Sequence, residues 1–246
     1  MNGEEKPFSR SDSQGKAMDS PGTESVNRRE KMVSRQIENR GIYDSALLSA
    51  MRDVPREAFV AEKYEDLAYD DGPLPILENQ TISQPYVVAL MIEALKLKSS
   101  DRVLEIGTGS GYAAAVLGKI AAEVYTVERI EALVRFARKN MAALGYENVH
   151  VCQGDGTLGW PAKAPYQGII VSAGGPLVPP ALKAQLTIGG HLVIPIGKEQ
   201  RAQQLVRVTR LEKEKYQERK LGHVRFVPLI GEQGWQKEDR RWSGFF

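Results

Sequence analysis

Residues 103–112, Val-Leu-Glu-Ile-Gly-Thr-Gly-Ser-Gly-Tyr, restrict the fold more than any other stretch of this chain. A short apolar strand ends at Ile106, three glycines follow at alternate positions, and a small-residue helix begins at Tyr112. Such a turn lets backbone N–H groups approach a ligand at a helix N-terminus. The flanking pattern is of one kind. Strands are expected at 102–106, 123–127, 148–152, 168–172 and 191–196, and helices at 112–120, 130–144 and 179–186. Strands alternating with helices make an α/β chain with a doubly wound, mostly parallel sheet covered on both faces. Residues 205–209 and 224–229 read as two later strands that can pair antiparallel.

Upstream of the loop the pattern predicts a helical extension. Residues 28–40 carry apolar positions at Met32, Val33 and Ile37 and stop at Gly41, as an amphipathic helix does. Asp44 can cap a second helix through Met51, and Pro55 interrupts the chain beyond it. Residues 70–85 are rich in turn formers. They lead into a helix for which Ser83 is the expected N-cap, with Pro85 just inside it; Val87, Val88, Met91, Ile92 and Leu95 form its apolar stripe.

Composition sets the domain count. Residues 1–26 hold five apolar residues, too few to offset the entropy of ordering them, and are expected to be a disordered tail. Residues 27–246 are expected to form a single domain. Over the whole chain 33 basic against 31 acidic residues give +2, which points to neither nucleic acid nor a membrane surface. Residues 198–246 hold 12 Lys/Arg and 7 Asp/Glu, a local excess of +5. Cys152 is the only cysteine and reads as a core thiol at the end of a buried strand. His150, His191 and His223 lack metal-ligand spacing, so no metal is expected. Without an 18-residue apolar run or a signal-peptide pattern, the expected location is the cytoplasm.

The loop's spacing is G-x-G-x-G, and the third glycine of a dinucleotide fingerprint is replaced by Tyr112. Glu105, two residues before Gly107, would repel a pyrophosphate but suits an amino acid's ammonium or the loop's own amides. Glu128 ends the next strand, 21 residues after Gly107, where a carboxylate can accept both ribose hydroxyls. Asp155, in Gly154-Asp155-Gly156 after the third strand, can hydrogen-bond an adenine amino group. These three sites belong to a nucleoside-bearing cofactor, either NAD or S-adenosylmethionine.

At this point the chain resembles class I S-adenosylmethionine-dependent methyltransferases, and among them the protein-L-isoaspartate O-methyltransferases. The resemblance covers roughly residues 29–230. It rests on Met32-Val33-Ser34-Arg35-Gln36-Ile37, the segment from Val54 to Val60, and Gln80-Thr81-Ile82-Ser83-Gln84-Pro85. The glycine loop, Gly154-Asp155-Gly156, the segment from Gly189 to Gly197, and Arg225-Phe226-Val227-Pro228-Leu229 complete it. The glycine loop marks only the superfamily; the Thr-Ile-Ser and Phe-Val-Pro-Leu segments are particular to the family.

The resemblance implies a Rossmann-like fold and a cofactor, S-adenosylmethionine, that leaves as S-adenosylhomocysteine. Glu105, Gly107, Thr108, Gly109, Gly111, Tyr112, Glu128, Asp155 and Gly156 would bind it. The implied reaction methylates the α-carboxylate of L-isoaspartyl residues, or the β-carboxylate of D-aspartyl residues, in damaged proteins. It also implies a monomer with protein substrates and no nucleic-acid or membrane partner. A carboxylate is ionised near pH 7, so no general base is needed. On spacing alone Ser83 reads as a helix cap; the resemblance makes it the catalytic residue that orients the substrate carboxylate. Thr81, Ile82, Val227 and Pro228 would assist through backbone contacts. The alternatives are a class I methyltransferase acting on RNA or a small molecule, and a catalytically silent binding protein with this fold. Gln167, Gly174 and Gly175 depart from the family's pattern.

Overall fold

The computed structural model describes residues 21–199 and 202–236. Helix α1 (Pro21–Met32) opens it and runs on through a π turn, Val33–Ile37, and a 3-10 turn to Gly41, whose φ of +90° ends the run. The expected helix and its glycine stop are both present. The helix starts inside the stretch assigned to the tail, because its first turns are small and polar rather than apolar and give no hydrophobic period. Residues 1–20 lie outside the described residues. Charges further along the run are used: Arg52 reaches Glu30 at 3.0 Å and Glu38 at 2.9 Å. Arg52 belongs to α2 (Ser45–Asp53), which Asp44 caps by accepting from the Leu47 amide at 2.9 Å.

The turn-rich segment contains a two-residue antiparallel ribbon, β1 (Leu74–Pro75) with β2 (Thr81–Ile82). Helix α3 (Pro85–Leu95) comes next. Its N-cap is Gln84, so the cap expected at Ser83 is one residue out. Pro85 opens the first turn, which leaves the Ser83 hydroxyl too early in the chain to bond the α3 amides.

Seven strands build the main sheet. They are β3 (Arg102–Ile106), β4 (Glu123–Glu128), β5 (Val149–Gln153), β6 (Tyr166–Val171), β7 (Leu186–Glu199), β8 (Ala202–Glu212) and β9 (Lys215–Val224). Their order is β5-β4-β3-β6-β7-β8-β9; the five strands from β3 to β7 are parallel and the last two antiparallel. Helices α4 (Tyr112–Gly118), α5 (Glu131–Ala143) and α6 (Pro180–Ala184) make the crossovers. Two buried clusters result, one on each face. Ile170 joins the first, with α3 and α4, and its neighbour Ile169 joins the second, with Leu182 of α6. A strand covered on both faces alternates its side chains between two cores.

Two expectations about strands change. The last strand is not 224–229 but the polar stretch Lys-Tyr-Gln-Glu-Arg-Lys-Leu-Gly-His-Val of β9. It is an edge strand, where charged side chains discourage pairing with another chain, so it lacks an apolar period. Residues 225–229 run alongside the sheet instead, bridged at Gly174 and Pro228. Cys152 lies on the opposite edge strand, β5, and is half-buried, so its environment is an edge rather than the core. Among the described residues no helix is long and apolar enough to cross a membrane.

Candidate active site

The sheet order reverses between β3 and β6, and ligands of open α/β sheets bind outside the carboxyl ends of strands at such a point. Here the strand ends are held in register by the Ser172 amide, which donates to the Ile106 carbonyl at 2.8 Å, and by the Gly107 amide, which donates to Val127 at 2.9 Å. Gly107, Gly109 and Gly111 have φ of +88°, +56° and +94°, left-handed values that a side chain would strain. The loop they form curls over a cavity of about 870 Å³, its open mouth included.

Most of the predicted site residues meet in this cavity. Glu105, Gly107, Thr108, Gly109 and Tyr112 line one side with Glu128 and Gly156. Thr81, Ile82 and Ser83 come from β2 and the turn before α3, and Val227 and Pro228 from the C-terminal segment. Gly111 stands behind the loop, where an added Cβ would lie 2.8 Å from Met141.

The carboxylates are arranged differently from the expectation. Glu128, not Glu105, holds the loop's backbone: its Oε2 accepts from the Gly109 amide at 3.1 Å and its Oε1 from Ile130 at 2.9 Å. Each oxygen keeps a lone pair for a hydroxyl. Glu105 is 1% exposed and accepts from the Thr126 hydroxyl at 2.6 Å. With Thr126 donating there, its 2.6 Å contact to Thr108 makes Thr108 the donor of the second bond. Burial, and to a lesser degree the nearby charge of Glu128, push the Glu105 carboxyl up to about 8. Neither carboxylate has an ion-pair partner among the described residues. Two buried acidic groups without a counter-charge among the described residues suit a ligand that brings cationic groups of its own.

Asp155 is drawn out of the cavity. Its Oδ1 accepts from the Thr157 amide and hydroxyl at 2.9 and 2.7 Å, and its Oδ2 from the Glu232 amide at 2.7 Å. These bonds form a bracket that ties the loop after β5 to the C-terminal segment. That segment is a strap, fastened also by the Trp235 indole donating to the Gly174 carbonyl at 3.0 Å. Its Leu229 and Ile230 cover the cavity. Two departures from the family pattern acquire roles. Gln167 accepts from the Arg102 amide at 2.8 Å. A Cβ at Gly174 would fall 2.5 Å from the Gln203 amide, which itself brackets both backbone groups of Phe226.

A second cleft opens beside the first, between the turn before α3 and the strap, with Gln84, Val87 and Phe226 among its walls. Thr81, Ser83, Ser172 and Val227 line both. Ser83 thus stands where the two spaces join, its hydroxyl free of any helix-capping role.

Sequence reasoning missed Ser172, Thr126 and Arg56. Arg56 is fully buried; its Nε donates to the Ala68 carbonyl at 2.7 Å and its Nη2 to the Ser83 carbonyl at 2.9 Å. Its only sequence signal is a lone cation between apolar Val54 and Phe59.

Comparison with known proteins gives a consistent picture. Residues 27–234 match the family model described as protein-L-isoaspartate(D-aspartate) O-methyltransferase. A protein-L-isoaspartate O-methyltransferase of Rhodopseudomonas palustris is 60% identical over 208 residues, 85% of this chain and 95% of that one. One from Marinobacter nauticus is 55% identical over 218 residues, 89% of this chain and 100% of that one. Among solved structures, a protein-L-isoaspartate O-methyltransferase superposes with a TM-score of 0.77 at 32% identity, covering 84% of this chain and 67% of its own. A Plasmodium falciparum structure with the same family description, in complex with S-adenosyl-L-homocysteine, gives 0.72 at 26% identity, with 82% and 98% covered.

Proposed function

This chain belongs to the protein-L-isoaspartate O-methyltransferase family, and from that premise we propose that Ser83 orients the carboxylate that it methylates. The reaction moves the methyl of S-adenosylmethionine to the α-carboxylate of an L-isoaspartyl residue, or the β-carboxylate of a D-aspartyl residue, in a damaged protein. The single observation behind the role of Ser83 is the junction of two clefts at Thr81, Ser83, Ser172 and Val227. One cleft takes the cofactor and the other the substrate chain.

S-adenosylmethionine, when bound, supplies an electrophilic methyl on a sulfonium and leaves as S-adenosylhomocysteine. The cavity's donor set fits that group. Glu105 and Glu128 would balance its positive charge, the glycine loop would leave room for its amino-acid part, and Glu128 would offer acceptor sites to the ribose hydroxyls. Asp155 acts on the adenine end through the strap rather than by contact. The acceptor carboxylate needs no base, since it is ionised near neutral pH. What remains is in-line placement and exclusion of water, and orientation can lower the barrier by several kcal/mol. The Ser83 hydroxyl donates to one carboxylate oxygen and leaves the other aimed at the methyl. Backbone around Thr81, Ile82, Val227 and Pro228 holds the substrate main chain. Ile82 and Leu229 are buried at 5% and 4% exposure and keep the junction dry.

The same reading makes residues 27–246 one domain and the protein a cytoplasmic monomer with no nucleic-acid or membrane partner. Tritiated S-adenosylmethionine, offered with an isoaspartyl peptide and its normal aspartyl twin, tests the function. Only the isoaspartyl peptide should be labelled; equal labelling, or none, overturns it.

A further inference from the structure

Arg56 has 0% exposure, and among the described residues no carboxylate lies within ion-pairing distance of it. A guanidinium taken out of water without a counter-charge weakens the fold that contains it. Burial shows in its acidity, pulled down to about 10. Among the described residues neither Nη1 nor the buried Tyr112 hydroxyl makes a hydrogen bond of normal geometry, although the two groups attract each other. An apolar side chain of equal length would escape that penalty but leave the Ala68 and Ser83 carbonyls without these donors, so the charge by itself gives no reason for a cation here.

What the guanidinium touches does account for it. One arm of its fork bonds the carbonyl of Ser83 itself, and Nε bonds that of Ala68, which caps the 3-10 turn Glu62–Leu67. Its face lies over the Tyr112 ring, 4.8 Å from the centroid, and Tyr112 is the first residue of α4 and a wall of the cofactor cavity. Phe59 meets the same ring edge-on at 5.6 Å. One planar, rigid group therefore connects the substrate turn to the helix that opens the cofactor loop.

We infer that Arg56 is a positioning residue for methyl transfer: it fixes the Ser83 turn against α4, and so sets the separation between the acceptor carboxylate and the methyl. The inference rests on the role given to Ser83. Lysine keeps the charge but has no planar fork to serve both carbonyls while stacking on the ring. Methionine removes the buried charge together with both carbonyl bonds, so its melting temperature is measured beside its kcat.

Arg56→Lys and Arg56→Met, assayed as full-length protein with an isoaspartyl peptide, should each lose about tenfold or more in kcat. Their Kd for S-adenosylhomocysteine should stay within roughly threefold of the parent, because Arg56 does not itself line that ligand's pocket and reaches it only through the far side of Tyr112. In a Ser83→Ala background either change should cost little more, since both act through one group. A purely structural role would instead give losses that multiply with Ser83→Ala, or affinity that falls with kcat; either result overturns the inference. So does full kcat in both Arg56 variants. Should Arg56→Lys fail to fold, Arg56→Met gives the same readings. Full turnover by Ser83→Ala alone removes the Ser83 assignment instead, and is recognised separately.

Discussion

At the residue scale, the proposed reaction would divide orientation and charge between two side chains. Ser83 is released from capping α3 by the position of Pro85, and its hydroxyl is available at the meeting point of the two clefts. Ser83→Ala should lower kcat about tenfold to a hundredfold with the Kd for S-adenosylhomocysteine changed by less than roughly threefold. Parallel turnover and equilibrium titration check this, and lost affinity with intact turnover would contradict it. Glu105 makes a different kind of prediction. Its carboxyl is raised from 4.5 to about 8 when folded, mainly by burial. The ligand-free fold therefore keeps a proton that the unfolded chain gives up, and stability falls as pH rises from about 4.5 to about 8. Melting temperatures across that window should decline, and Glu105→Gln, which keeps an acceptor for Thr126, should flatten the decline. An unchanged slope in the variant would place the titration elsewhere.

At the scale of elements, the strap after β9 closes the cavity by hydrogen bonds rather than by packing alone. Asp155 is its fastening, and Gly231 is placed so close that a Cβ would lie 2.1 Å from the Asp155 carboxylate. Asp155→Ala frees one end, and Gly231→Ala forces the two apart. Both should speed hydrogen exchange of the amides of 230–235 and weaken S-adenosylhomocysteine binding by about tenfold, the worth of roughly one charge-assisted hydrogen bond. Were Asp155 to act by touching adenine, Asp155→Ala would weaken binding while Gly231→Ala and the exchange rates stayed as they are. Elements also show what was legible beforehand. The parallel strands β3, β4 and β6 and helices α4 and α5 announced themselves through apolar runs and the 3.6-residue period. The edge strand β9 and the first turns of α1 did not, because a solvated edge or a polar helix start carries no such pattern.

At the scale of the whole molecule, one sheet holds two cores. Ile169 at 0% and Ile170 at 1% exposure are adjacent in sequence but buried on opposite faces. If residues 27–246 are one cooperative domain, Ile169→Ala and Ile170→Ala should each lower the stability of the same single transition by about 2–5 kcal/mol. Urea unfolding followed by two probes tests this, and separate transitions responding to separate variants would divide the domain. The +5 excess of the C-terminal fifth falls partly on β8 and β9, where Arg207 and Arg219 face each other across the ladder.

The sequence by itself determined the parallel strands, the glycine loop and most of the cavity's lining. Each depends on local order: an apolar strand, glycines at left-handed positions, and acidic residues at successive strand ends. Tertiary structure decided what those residues do. Glu128 rather than Glu105 took the loop amides, Asp155 fastened the strap, and Ser83 lost its cap and gained a cleft. It also brought Arg56, 27 residues away along the chain, onto the carbonyl of Ser83. Hydrogen bonds in a dry interior are satisfied by whichever group the packing brings within about 3 Å, and sequence spacing does not carry that distance.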